Sequence, residues 1–206
     1  MLEDDSNAFN DFDSQIRSIL TDDPDFVIAK FNGVKVAMAS SVAYTLAIAL
    51  NNNSNIKVLE LRNTCFGLRD VEKVFDALHC HPSITSIYIS GEMFDSEIDV
   101  MQSLSSLLAC TKISEVYLSN FSIGDEAGRF IVESMSLLSA HGKCFKRLYM
   151  DNCNVGDKTA AALLEFIYES SRLERLHLAA NHFTRYAVQG LVNSMKAQRI
   201  NSDLMI

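Results

Sequence analysis

No stretch of this 206-residue chain has the makings of a membrane span. The least polar run, VKVAMASSVAYTLAIAL at 34–50, carries Lys35, Ser40, Ser41 and Thr45, and a spanning helix needs about 20 predominantly apolar residues. It reads instead as a buried helix. No basic-then-apolar segment follows Met1, where the sequence continues Leu-Glu-Asp-Asp, so a secretory leader is not indicated and a cytoplasmic protein is expected. Basic stripes of the kind that neutralise phosphates are absent too, which argues against nucleic acid and anionic membranes as partners. Five cysteines (Cys65, Cys80, Cys110, Cys144 and Cys153) form an odd set without paired spacing; they read as reduced thiols packed as small hydrophobes. None of the eight glycines belongs to a phosphate-binding loop.

Acidic charge is plentiful but local. Of the net charge of −8, residues 1–25 account for −7, with eight acids against Arg17, and the rest of the chain is close to neutral. Residues 1–11 read as an acidic, flexible leader. Phe12, Ile16, Ile19 and Leu20 then fall on one helical face, so 12–25 is expected to form a capping helix and turn. A hydrophobic content of 48% suffices for one continuous core over the remainder.

That remainder repeats itself. ISEVYLSNFSIGD at 113–125 returns as FKRLYMDNCNVGD at 145–157, and apolar residues at positions zero, plus three and plus five recur more widely. The matches are Phe26/Ala29/Phe31, Ile56/Leu59/Leu61, Ile84/Ile87/Ile89, Ile113/Val116/Leu118, Phe145/Leu148/Met150 and Leu173/Leu176/Leu178, with a partial seventh at Asn201, Leu204 and Ile206. Successive starts lie 30, 28, 29, 32, 28 and 28 residues apart. Such a fixed period marks a solenoid, whose units bury their apolar faces only by stacking. Within a unit the period changes from strand-like to helical: Ala127, Phe130, Ile131 and Leu138 share one helix face, as do Leu163, Leu164 and Ile167. Ile123-Gly124-Asp125 and Val155-Gly156-Asp157 supply a glycine at the turn and an aspartate able to cap the helix that follows. One repeat is therefore a short strand, a turn and a helix.

LERLHLAAN and FKRLYMDNC carry the pattern L-x-x-L-x-L followed by Asn or Cys, and on these residues the region 26–206 resembles the leucine-rich repeat. The period near 28, with IGDEAG and VGDKTA, resembles the ribonuclease-inhibitor type. DDPDFVIAKFNG and ALNNNSNIKVLEL, within residues Gln15 to Leu61, are similar to the start of the tropomodulin leucine-rich repeat domain. The resemblance implies an α/β solenoid of about six and a half repeats, with a curved parallel sheet on the concave face and helices on the convex face. It further implies a protein or peptide partner, with actin as the alternative suggested by the tropomodulin likeness. Cys153 and Asn181 at plus eight, and Cys65 at plus nine, stand where this repeat type places supports for the backbone turn.

If positions zero, plus three and plus five are core, the concave face carries plus two, plus four and plus six. The plus-four column runs Lys30, Glu60, Tyr88, Tyr117, Tyr149, His177 and Met205. Arg147 and Arg175 flank it at plus two, and Arg62 and Asp151 at plus six; Arg147, Arg175 and Asp151 are expected to form one polar cluster. Tyrosine is common at binding hot spots, yet aromatic neighbours across strands also support a sheet by roughly 0.2–1 kcal/mol per pair. Both readings stand. The candidate protein-binding residues are thus Tyr88, Tyr117, Tyr149, His177, Arg147, Arg175, Asp151, Glu60 and Arg62.

Catalytic groups are scarce. His79-Cys80-His81 is the one dense group of potential metal ligands, but it lacks a second pair at zinc spacing and reads as a loop. His177 has no nucleophile or carboxylate placed to make it a general base. A protein without catalysis, cofactor or metal is expected, a metal-dependent or hydrolytic enzyme being the remaining alternative. At the C-terminus the partial strand 201–206 would leave an open edge, and further repeats in a longer parent protein or a small C-terminal closure of a monomer are favoured over a dimer joined there.

Overall fold

The computed structural model describes residues 4–34, 36–79, 81–91, 103–105, 107–109, 112–120, 122–169 and 172–200. Helix and strand alternate as α1 (Asp4–Leu20), β1 (Ile28–Asn32), α2 (Val36–Asn51), β2 (Val58–Arg62), α3 (Leu68–His79), β3 (Ser86–Ser90), β4 (Glu115–Ser119), α4 (Asp125–Ala140), β5 (Arg147–Asp151), α5 (Asp157–Glu169), β6 (Arg175–His177) and α6 (Arg185–Ala197). Residues 103–105 and 107–108, between β3 and β4, are also helical. The six strands form one parallel sheet in sequential order. Sequence spacing becomes register directly: Val58 faces Ser86, which faces Glu115, then Arg147, then Arg175.

The apolar columns account for the core. Ile56, Ile84, Ile113, Phe145 and Leu173 at position zero are buried, as are all the residues at plus three and plus five from β1 to β6. Helices cover that side of the sheet; Val71, Val74, Phe75 and Leu78 of α3 and Leu163, Phe166 and Ile167 of α5 point inward at helical spacing. Phe145 meets Phe166 edge-on at 6.4 Å between ring centroids.

Several expectations need correcting. The first helix begins at Asp4, not at residue 12. Ile16 and Ile19 are buried and Phe12 is half-buried, but Leu20 is exposed, because the helix turns its last residue away from the sheet. The run at 34–50 forms α2, which buries Val42, Leu46 and Leu50 while exposing Tyr44 and Ile48 on its outer side. Phe130 likewise lies on the outer side of α4. Cys65 is exposed, and Thr64, one place earlier at plus eight, takes the buried position. The expected strand at 201–206 lies outside the described residues, as do Cys80 and Cys110.

Two backbone ladders extend the pairing beyond the strands. At plus one, the amides of Lys57, Thr85, Ser114, Lys146 and Glu174 donate to Val27, Lys57, Thr85, Ser114 and Lys146 carbonyls over 2.7–2.9 Å. At plus seven every residue is left-handed: Gly33 (φ 72°), Asn63 (50°), Gly91 (92°), Asn120 (52°), Asn152 (52°) and Ala180 (56°). That conformation is open to glycine and tolerated by asparagine. From Gly33 to Asn152 it turns the amide toward the next repeat, as in Asn63 N to Ser90 O at 2.8 Å and Asn152 N to Ala179 O at 2.8 Å. At Gly91 space demands glycine as well, since a Cβ would sit 2.9 Å from Asn63 Cα.

The capping aspartates work across repeats, not within them. The Asp125 carboxylate accepts from the Gly156, Lys158 and Thr159 amides at 2.7–3.1 Å and from Thr159 Oγ1 at 2.8 Å, so it caps α5, the helix of the following unit. Asp157 does the same for α6 through the Thr184 amide and hydroxyl, both at 2.8 Å. Burial alone would raise the Asp125 pKa, but these donors outweigh it and hold the carboxyl below its ordinary value.

Candidate functional site

Strand register brings the plus-four residues into a single file on the face opposite the helices. Tyr88 pairs with Tyr117, Tyr117 with Tyr149 and Tyr149 with His177. Neighbouring strands are about 4.8 Å apart, a distance at which planar side chains can lie face to face. They do so here. Ring centroids are 3.9 Å apart for Tyr88–Tyr117, 4.4 Å for Tyr117–Tyr149 and 4.2 Å for Tyr149–His177, with interplanar angles of 7°, 26° and 24°. All four residues are half-buried, their ring faces covering one another.

Two carboxylates hold the column in place. Glu115 Oε2 accepts from the Tyr117 hydroxyl at 3.1 Å and from Ser86 Oγ at 3.0 Å, and its Oε1 lies 3.6 Å from Arg147 Nη1. Burial is the first reason the Tyr117 hydroxyl has a pKa pushed well above its usual value. Glu60, buried at the Tyr88 end, receives Arg62 Nε at 3.0 Å and Lys30 Nζ at 3.4 Å. Arg62 in turn lies 5.6 Å above the Tyr88 ring, a cation–π geometry. Glu60 is therefore a buried anchor and not a solvent-facing position.

The expected Arg147–Arg175–Asp151 cluster does not form as one group. Arg147 and Arg175 are register partners, but Asp151 stands four residues further along β5, roughly 13 Å away at strand rise. Its Oδ1 accepts from the Ala179 amide at 2.8 Å. The carboxylate beside Arg147 is Glu115, supplied by the neighbouring strand at the same plus-two level.

His79 is exposed at the end of α3, whereas His81 is buried. Its Nδ1 accepts from the Ile84 amide at 3.3 Å and the Ser83 amide at 3.4 Å, and burial lowers its pKa. Among the described residues no group of three His, Cys, Asp or Glu could hold a metal ion. His81 instead matches Asn53, whose Oδ1 accepts from the Ile56 amide at 2.9 Å: both stand three residues before position zero. That turn-forming column, like the left-handed one at plus seven, was visible in the sequence as a recurrence of polar or small residues at fixed phase. Searching only apolar positions passes over both. Asn181 behaves as a turn support, donating to Met150 O at 2.6 Å and accepting from the Cys153 amide at 2.9 Å.

No family model matches the chain, and no curated protein matches it. Solved structures do. The tropomodulin C-terminal domain of Caenorhabditis elegans is similar at a TM-score of 0.51 and 16% identity, over 92% of this chain and 93% of that one. Leiomodin-1 actin-binding site 2 is similar at a TM-score of 0.50 and 18% identity, over 91% of each. At these identities the likeness is one of fold, and with the sequential parallel sheet and the repeat register it makes this chain a leucine-rich-repeat solenoid.

Proposed function

We propose that the chain is a non-catalytic protein-interaction module that docks a protein or peptide on the open face of its sheet. Tyr88, Tyr117, Tyr149 and His177 would be the anchors, and Arg62, Arg147, Arg175 and Asp151 their polar surround, with buried Glu60 holding Arg62 in place. The observation carrying this reading is the unbroken four-ring column, half-accessible along its length. Sheet support needs aromatic neighbours, but it does not need them in one continuous file on the face away from the core. Tyrosine offers large apolar area with few rotatable bonds and a polar tip, the properties of an interface anchor.

Actin is the first partner to test, because one of the similar structures is leiomodin-1 actin-binding site 2 and the likeness spans nearly the whole chain. Co-sedimentation with filamentous actin should retain the wild-type chain in the pellet and release a Tyr88/Tyr117/Tyr149 triple alanine that still melts cooperatively. Equal pelleting of both would exclude the tyrosine column as the contact. Absence of wild-type binding would remove actin and leave a different protein partner to be found.

A further inference from the structure

The open face is not electrically uniform. At the β1–β3 end, Lys30 and Arg62 both have Glu60 within ion-pair distance. The β5–β6 end is arranged differently. Arg147 and Arg175 stand directly opposite each other, a placement in which like charges repel. Glu115 answers Arg147 alone, at 3.6 Å. Arg175 is exposed and forms no ion pair among the described residues, and Arg147 Nε is buried with no hydrogen-bond acceptor. Next to the two guanidiniums on the same face lie the stacked rings of Tyr149 and His177.

Resting on the docking reading above, we infer that this end of the face binds an acidic peptide segment, a carboxylate seated on Arg147 and Arg175 and an apolar side chain on the Tyr149–His177 rings. Guanidinium donors are arranged in a planar fork that matches a carboxylate two bonds at a time. Arg175, exposed and without an ion pair among the described residues, has its guanidinium donors open to a carboxylate from outside, beside an Arg147 whose charge Glu115 meets only at 3.6 Å. The spacing fits an extended peptide. Plus two and plus four are two residues apart on a strand, about 6.6 Å, which is also the spacing of same-face side chains on an extended ligand. An acid at one position and an apolar residue two places on would therefore meet both halves of the site together.

Fluorescence anisotropy with a short labelled peptide of Glu-Ser-Leu-Ser repeats tests this, alongside the same peptide with Gln for Glu. Arg175→Gln, which alters an exposed side chain, should weaken binding about fivefold, and Arg147→Gln/Arg175→Gln about twentyfold, the upper range for one and two solvent-exposed ion pairs. Lys196→Gln, an equal change of charge on α6, should stay within about twofold. The Gln peptide should bind no better to wild type than the Glu peptide does to the double variant. Thermal melts of every variant confirm folding. If Tyr149→Ala weakens binding but the arginine variants do not, the acidic-ligand inference falls while docking on this face survives. Equal losses in Lys196→Gln and the arginine variants, no binding of the Glu peptide to wild type, or arginine-dependent binding to phosphatidylserine vesicles in its place, would each overturn the inference.

Discussion

Single residues in this protein act mainly by satisfying backbone groups where the chain reverses. His81 is the clearest case, a buried imidazole whose Nδ1 accepts from two amides and is thereby kept neutral. Desolvation lowers its pKa, with the Asp22 charge opposing that shift. Because the folded pKa lies below the unfolded value near 6.5, the unfolded chain takes up the proton first as pH falls. The His81 contribution is then fully present above about pH 6.5 and is lost progressively below it. Asparagine does the same job at Asn53 without titrating. In urea titrations at pH 7.5 and 5.5, wild type should lose stability relative to His81→Asn on acidification; a constant gap would mean that His81 protonates freely in the fold.

At the scale of elements, the repeat boundaries are joined by aspartates that bridge from one unit to the next. Asp125 takes four donors of the following unit, a geometry that can only persist while α4 and α5 are in contact. Asp125→Ala should cost about 2 kcal/mol, the upper end for a helix cap, and Asp157→Ala about 1 kcal/mol, since its partners are exposed and fewer; chemical denaturation with a fitted midpoint distinguishes them. The N-terminal edge is closed by another device. Gln15 pairs with the outer edge of β1, its Oε1 accepting from Lys30 N at 2.6 Å and its Nε2 donating to Lys30 O at 2.5 Å, much as a neighbouring strand would. Gln15→Leu should cost about 1 kcal/mol, because solvent can replace these bonds. Removing residues 1–20 also takes away buried Ile16 and Ile19, each worth about 1.5–3 kcal/mol. The longer truncation should therefore lower the melting temperature far more than removal of 1–9, and equal melting of the two would refute α1 as the cap.

How much of this could be read in advance depended on which interaction set each feature. Strand register was legible because three buried positions recur at one phase in every unit, and a slip of one residue would turn Leu148 and Met150 out and Tyr149 in. The aromatic file followed from that register alone. Partners that depend on rotamers were not legible: Arg147 reaches Glu115 across the strands instead of Asp151 along its own. Nor does spacing within a unit reveal that Asp125 serves the helix of the following unit, since both a local and a bridging cap place aspartate at the same position. Ala180 shows the limit from the other side, holding φ 56° in a column of glycine and asparagine, so composition would not have marked it.

For the whole molecule, the consequence of stacking is that cohesion runs in one dimension. Among the described residues the backbone of each strand lies against the next strand and that of α2 against α3, α4 against α5 and α5 against α6, so each interface between units is a possible place for the stack to part. The one between α4 and α5 is especially close. A Cβ on Gly128 would lie 2.5 Å from Thr159 Oγ1 and 2.7 Å from Val155 Cγ1. Thr159 cannot swing aside cheaply, because its hydroxyl is bonded to both the carbonyl and the carboxylate of Asp125. Helix propensity favours alanine over glycine by about 1 kcal/mol, while overpacking costs typically about 1–3 kcal/mol, and here the crowded atoms are also the latch. Gly128→Ala should thus be destabilising overall despite its better helix former. Its effect should be concentrated at one junction: hydrogen exchange should rise for amides of α5, β6 and α6 before those of α2 and α3. Uniform acceleration along the chain would instead mean that the solenoid unfolds as a single cooperative block, with the strain at Gly128 shared by every repeat.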